Sequence, residues 1–125
     1  MKFSDYTHKL SHIGIPTEDL KKSVDFYRSL DFEIVWEDPG VVVFMGLSGV
    51  LVELYPTEKA AMVDGAVDHF SLDTTDIYAT YELAKERGLT FTTDGIVDLA
   101  QFENGVKYFK VLGPSNEQVE FSQQL

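Results

Sequence analysis

The chain has 125 residues, the length of one domain or of two small modules sharing a core. Its formal net charge of −11 repels phosphate backbones, so no nucleic-acid partner is expected, and the absence of Cys excludes disulfides, thiolate ligands and a cysteine nucleophile. No apolar run approaches a membrane span and the N-terminus carries no signal-peptide core, so the expectation is a cytoplasmic protein with no membrane partner.

Leu10–Ile15 predicts a short strand. Thr17 offers an N-cap, with Glu18 and Asp19 where the helix dipole favours carboxylates. Leu20, Val24 and Tyr27 follow at helical spacing, which predicts a helix over 18–30 that Asp31 ends in a left-handed turn. Phe32–Glu37 predicts a strand stopped by Asp38-Pro39-Gly40. Val41–Leu47 and Val50–Tyr55 predict two more, joined by Ser48-Gly49. Module one therefore spans 8–56, and 57–65 reads as a linker. Module two, 66–125, predicts a strand over 66–73 and a helix over 75–87 stopped by Gly88. A strand at 89–93, an extended connection over 94–105 and strands at 106–112 and 118–122 complete it.

Two signatures occur twice. Ser11-His12-Ile13-Gly14-Ile15 leads into Thr17 and Asp19, and Asp68-His69-Phe70-Ser71-Leu72 leads into Thr74 and Asp76, all at an offset of 57 residues. Val52-Glu53-Leu54 returns as Val119-Glu120-Phe121, at an offset of 67, so ten extra residues belong in the longer connection. Strand alternation turns His12, Glu53, His69 and Glu120 away from their apolar neighbours. Taken singly, a His is more often structural and a Glu on a strand is usually solvated. Their recurrence in duplicated contexts points instead to a metal site, because two imidazoles and two carboxylates balance a divalent cation. His8 has no repeated context and reads as an exposed N-terminal residue. Trp36, Phe44, Tyr55 and Tyr108 are candidates for a substrate wall, with ordinary core as the competing expectation. No Gly-rich phosphate loop, Gly-x-Ser-x-Gly elbow or His-Glu-x-x-His motif is present.

At these residues the chain resembles the vicinal oxygen chelate superfamily, which includes glyoxalase I (lactoylglutathione lyase), extradiol dioxygenases and the fosfomycin- and bleomycin-resistance proteins. The resemblance rests on His12-Ile13-Gly14-Ile15 before Ser23-Val24-Asp25-Phe26-Tyr27, on Leu51-Val52-Glu53-Leu54, on Asp68-His69-Phe70, and on Gly113-Pro114-Ser115-Asn116-Glu117-Gln118-Val119-Glu120-Phe121. It covers nearly the whole chain, 1–125. It implies an α+β fold of two tandem βαβββ modules whose curved mixed sheet forms a cup round one divalent ion (Ni, Co, Zn or Mn), within one chain or across a homodimer interface.

The His-Glu-His-Glu set looks like glyoxalase I, and the short chain looks more like its nickel- or cobalt-activated class than the zinc class. The resemblance makes His12, Glu53, His69 and Glu120 the metal ligands, and Glu120 and Glu53 the catalytic carboxylates. It implies a lyase or isomerase acting on a 2-oxoaldehyde–thiol hemithioacetal. In that chemistry Glu120 leaves the metal and moves a proton between adjacent carbons through a metal-stabilised enediolate. The alternatives are a metal-dependent epimerase or thiol transferase of the same superfamily, or a non-catalytic drug-binding protein. A dioxygenase fits less well, since an iron facial triad needs one carboxylate. Three departures stand out. Ile15-Pro16 occupies the neighbourhood where such glyoxalases carry an Arg for glutathione, Asp31 replaces the usual helix-ending Gly, and the usual Asp-Pro-Asp-Gly-Asn turn reads Gly113-Pro114-Ser115-Asn116-Glu117.

Overall fold

A computed structural model describes residues 2–6, 10–58, 60, 62 and 69–125. His8 and residues 66–68, where the sequence places the start of a strand, lie outside the described residues. The chain divides into two compact units, Met1–Lys59 and Ala60–Leu125.

In the first unit a short 3-10 turn (Phe3–Asp5) precedes β1 (Ile13–Thr17), α1 (Leu20–Ser29), β2 (Glu33–Asp38), β3 (Val42–Leu47) and β4 (Val50–Pro56). The four strands form one mixed sheet in the order β1-β4-β3-β2, with β1 parallel to β4 and the other pairs antiparallel. Ser48 and Gly49 both take positive φ, at 47° and 85°. That is the two-residue turn whose twist matches a right-handed hairpin, and it pins Leu47 opposite Val50 and Phe44 opposite Glu53. Asp31 takes φ 66° after α1, so the left-handed stop falls where the sequence puts it.

The start of α1 differs from expectation. Asp19, not Thr17, is the N-cap, and its carboxylate accepts from the Lys22 backbone N–H at 3.1 Å. Thr17 is buried one step earlier. Its hydroxyl accepts from the Asp19 N–H and from Ser23 Oγ, so the two buried polar side chains satisfy each other. Asp19 holds the cap because α1 begins at Leu20, whereas Thr17, the last residue of β1, is still paired with Pro56 in the sheet.

The second unit repeats the order with β5 (His69–Asp73), α2 (Ile77–Glu86), β6 (Val97–Leu99), β7 (Val106–Leu112) and β8 (Gln118–Gln124). Its sheet runs β5-β8-β7-β6, again with the first strand parallel to the last and α2 crossing from β5 to β6 at the opposite edge. The duplication extends to single hydrogen bonds. Asp76 caps α2 by accepting from the Ala79 N–H at 3.0 Å, and the Thr74 and Thr80 hydroxyls lie 2.7 Å apart, as Thr17 and Ser23 do in the first unit.

The strand expected at 89–93 is reduced to a single bridge from Phe91 to Val111, and β6 forms instead inside the stretch expected to be a connection. The side chains explain the exchange. Thr92 Oγ1 donates to the Gln118 side chain and Thr93 Oγ1 accepts from the Lys110 N–H, which diverts this segment from a regular ladder. Val97 and Leu99 pair with Tyr108 and Val106, and an Asp98–Lys107 ion pair joins the two strands. Asp98, with the Tyr78 hydroxyl, holds the Lys107 ammonium above the ordinary lysine range.

In both units one sheet face packs under the helix and carries the core. Val43, Met45, Val52 and Leu54 are buried with Tyr27 and Phe32 in the first unit, and Phe109, Val111 and Val119 with Ile77 in the second. Burying each such side chain contributes about 1.5–3 kcal/mol relative to exposure. Because successive side chains point to opposite faces, this burial commits Phe44 and Glu53, and Lys110 and Glu120, to the other face of their sheets.

Candidate metal centre

Each unit brings one of the predicted His residues and one of the predicted Glu residues to its helix-free face. In the second unit His69 opens β5 and Glu120 lies in the adjoining β8, one row further along. The Nε2 of His69 is 3.8 Å from Oε2 of Glu120, and both side chains are largely but not wholly buried. Two donors of one cation at about 2.0–2.2 Å stand about 3.0–3.4 Å apart, so this pair needs to close by about 0.4–0.8 Å to share an ion.

In the first unit His12 immediately precedes β1, and Glu53 sits in β4 opposite Gly14. Gly14 leaves room: a Cβ there would lie 3.7 Å from Glu53 Oε1 and 3.7 Å from the Tyr55 ring. Ser11 Oγ is 3.0 Å from Nδ1 of His12, which occupies one ring nitrogen and leaves Nε2 for another partner. The His12 ring meets Phe44 edge-on at 5.6 Å between centroids, and Phe44 in turn contacts Trp36 at 6.2 Å.

Of the four aromatics singled out in the sequence, none lies in the buried core. Trp36 is 58% exposed and Tyr55 is exposed, while Phe44 and Tyr108 are half-buried on the helix-free faces. A bulge between Ile34 and Trp36 turns Val35 outward as well, with its Cγ1 3.3 Å from where a Gly46 Cβ would stand.

Among the described residues no three His, Asp or Glu side chains cluster around one point. The donor chemistry fits a divalent ion nonetheless: each unit offers one imidazole and one carboxylate, the nitrogen and oxygen donors such an ion takes. The sequence singles out neither Ser71 nor Lys110, yet they flank Glu120 directly on β5 and β7. The signal for Lys110 is present in the hairpin, where residues pair symmetrically about the Gly113–Glu117 turn.

Residues 9–121 match the model of the Glyoxalase/Bleomycin resistance protein/Dioxygenase superfamily. The chain is 30% identical to the uncharacterized protein YwbC of Bacillus subtilis (strain 168), over 93% of this chain and 98% of that protein. Among solved structures it is similar to a glyoxalase/bleomycin resistance protein/dioxygenase from Alicyclobacillus acidocaldarius (TM-score 0.77, 23% identity, covering 94% of this chain and 92% of the other). It is also similar to a lactoylglutathione lyase from Agrobacterium tumefaciens (0.72, 18%, covering 94% of each) and to the fosfomycin resistance protein FosX from Mesorhizobium loti (0.69, 16%, covering 95% and 94%). At these identities the structural likenesses establish the fold. No helix among the described residues is long and apolar enough to cross a membrane.

Proposed function

Because the chain belongs to the Glyoxalase/Bleomycin resistance protein/Dioxygenase superfamily, we propose that it is a metal-dependent lyase of the glyoxalase type, acting on a 2-oxoaldehyde–thiol hemithioacetal. His12, Glu53, His69 and Glu120 are the ligands, and the working unit is a homodimer with a small-molecule substrate. The observation that carries this reading is the His69–Glu120 approach at 3.8 Å, with His12 and Glu53 in the corresponding places of the first module.

A bound divalent ion supplies Lewis-acid polarisation of two vicinal substrate oxygens. The protein's own groups supply the rest. Glu120 takes the proton from one carbon and returns it to its neighbour. A carboxylate suits both steps because it accepts as the anion and donates as the acid. Glu53 holds the matching position in the first module, and Trp36, Phe44 and Tyr55 present an apolar wall beside it. Positioned proton transfer accounts for about 10²–10⁴-fold of the acceleration.

The test is turnover of methylglyoxal with a set of thiols, after stripping metal from the protein and restoring Ni, Co, Zn or Mn in turn. Activity that follows the metal supports the proposal, and inertness of every metal form toward every hemithioacetal overturns it. The exposed Val35–Trp36 surface favours one second reading, a protein that binds a drug-like ligand without chemistry. Stoichiometric divalent metal in the purified protein counts against simple sequestration.

A further inference from the structure

The two modules differ most in what flanks their glutamates. Across the first sheet the row reads Gly14, Glu53, Phe44, Trp36. Across the second, the same row reads Ser71, Glu120, Lys110. Aromatic rings thus stand beside Glu53 where a cation stands beside Glu120.

Lys110 is a half-buried lysine that takes part in no ion pair among the described residues, unlike Lys21, Lys85 and Lys107, which pair with Asp25, Glu82 and Asp98. Its ammonium lies 5.7 Å from the centre of the Tyr108 ring. Tyr108 is two residues back along β7, on the same face, and pairs with Ser122. Lys110 therefore leans toward the Ser122 row. There the hydroxyls of Ser71 and Ser122 are 2.7 Å apart. Only one of their two protons serves that mutual bond, so one hydroxyl keeps a proton to donate.

A half-buried ammonium over an aromatic face, with a hydroxyl that has a spare proton one row along the same sheet face, is suited to bind an anion. The chain's net charge of −11 works the other way, since its long-range field repels anions. A local cation is then what allows an anionic group to settle on this face.

We propose that Lys110, with the Ser71–Ser122 hydroxyl pair, forms an anion subsite on the second module that takes a carboxylate, phosphate or phosphonate group of the substrate. This rests on the proposed function only in placing the subsite beside Glu120; anion binding itself requires no turnover. Lys110 is thereby a specificity-determining residue.

The experiment titrates the full-length protein with methylphosphonate, with acetate and with neutral acetamide, following backbone amide resonances by NMR. In the unsubstituted protein methylphosphonate or acetate produces saturable shifts at Ser71, Lys110 and Ser122, and the tighter of the two identifies the anion class. Acetamide produces none. Lys110→Met weakens anion binding by about 10- to 100-fold, the range for a lost charge-assisted hydrogen bond, while Lys110→Arg stays within about threefold of the original. The dispersion of each variant's spectrum reports its folding. Equal affinity in Lys110→Met, shifts confined to other residues, or no binding of either anion overturns the proposal. Anion binding that persists in a protein inert to every hemithioacetal leaves the subsite standing and removes only the glyoxalase assignment.

Discussion

His69 and Glu120 come from strands 51 residues apart in sequence, and their Nε2 and Oε2 atoms stand 3.8 Å apart on the helix-free face of one sheet. That separation is beyond hydrogen-bond distance, and the proposed function assigns both side chains to one bound ion. Glu120→Gln removes the charge and the proton-carrying capacity while keeping the shape. Turnover is expected to fall by about 10²–10⁴-fold while part of the metal remains bound, as measured by steady-state kinetics alongside metal analysis. Full activity in that variant would remove Glu120 from the chemistry.

Metal dependence gives a second expectation. Dialysis against a chelator abolishes hemithioacetal turnover, and adding back one divalent ion restores it. His12→Ala and His69→Ala each weaken metal retention by at least about tenfold, since removing a group that merely hydrogen-bonds a metal ligand already costs about 10–100-fold. Equilibrium dialysis with the metal reads this directly. Metal affinity unchanged in both variants would exclude the two histidines as ligands.

Gly14 makes a third prediction. Its Cβ position is in ordinary van der Waals distance of Glu53 Oε1 and the Tyr55 ring, and its φ is not in the left-handed region. Gly14→Ala is therefore expected to retain activity and to leave stability equal or raised by up to about 0.5–1 kcal/mol, since Ala loses less backbone entropy than Gly on folding. Gly14→Leu has no such room, and the Glu53 carboxylate must move. Its activity falls more than its melting temperature does. Thermal unfolding and kinetics on the two variants separate these effects.

The helix caps supply a fourth. Asp19→Ala and Asp76→Ala each remove the acceptor for one helix N–H, Lys22 in α1 and Ala79 in α2. Each is expected to cost about 1 kcal/mol by urea unfolding. Thr17→Ala tests the corrected assignment of the first cap. Its hydroxyl serves Asp19 N–H and Ser23 within a buried cluster, so its loss leaves Ser23 Oγ short of a partner and costs at least as much as the cap itself. A Thr17→Ala cost well below that of Asp19→Ala would contradict the observed hydrogen bonds.

The sequence by itself determined the order of elements, because its signals are local. Alternation identifies the strands, Ser48-Gly49 can turn only in one way, Asp31 and Gly88 tolerate the positive φ that ends a helix, and the 57-residue repeat places one module on the pattern of the other. It also determined which face each candidate ligand takes, since burying Val52 and Val119 forces Glu53 and Glu120 to the opposite side. Only the tertiary structure decided what those ligands stand beside. Thr92 and Thr93 spend their hydroxyls on Gln118 and Lys110, which moves the fourth strand of the second sheet to Val97–Leu99. The pairing of Ser71, Glu120 and Lys110 joins three strands with no common motif. A strand's own residues specify its period and its faces, and a tight turn sets the register of its hairpin, but the parallel pairing of β5 with β8, which brings Ser71 beside Glu120, joins segments far apart in the chain and is settled by the packing of the whole sheet.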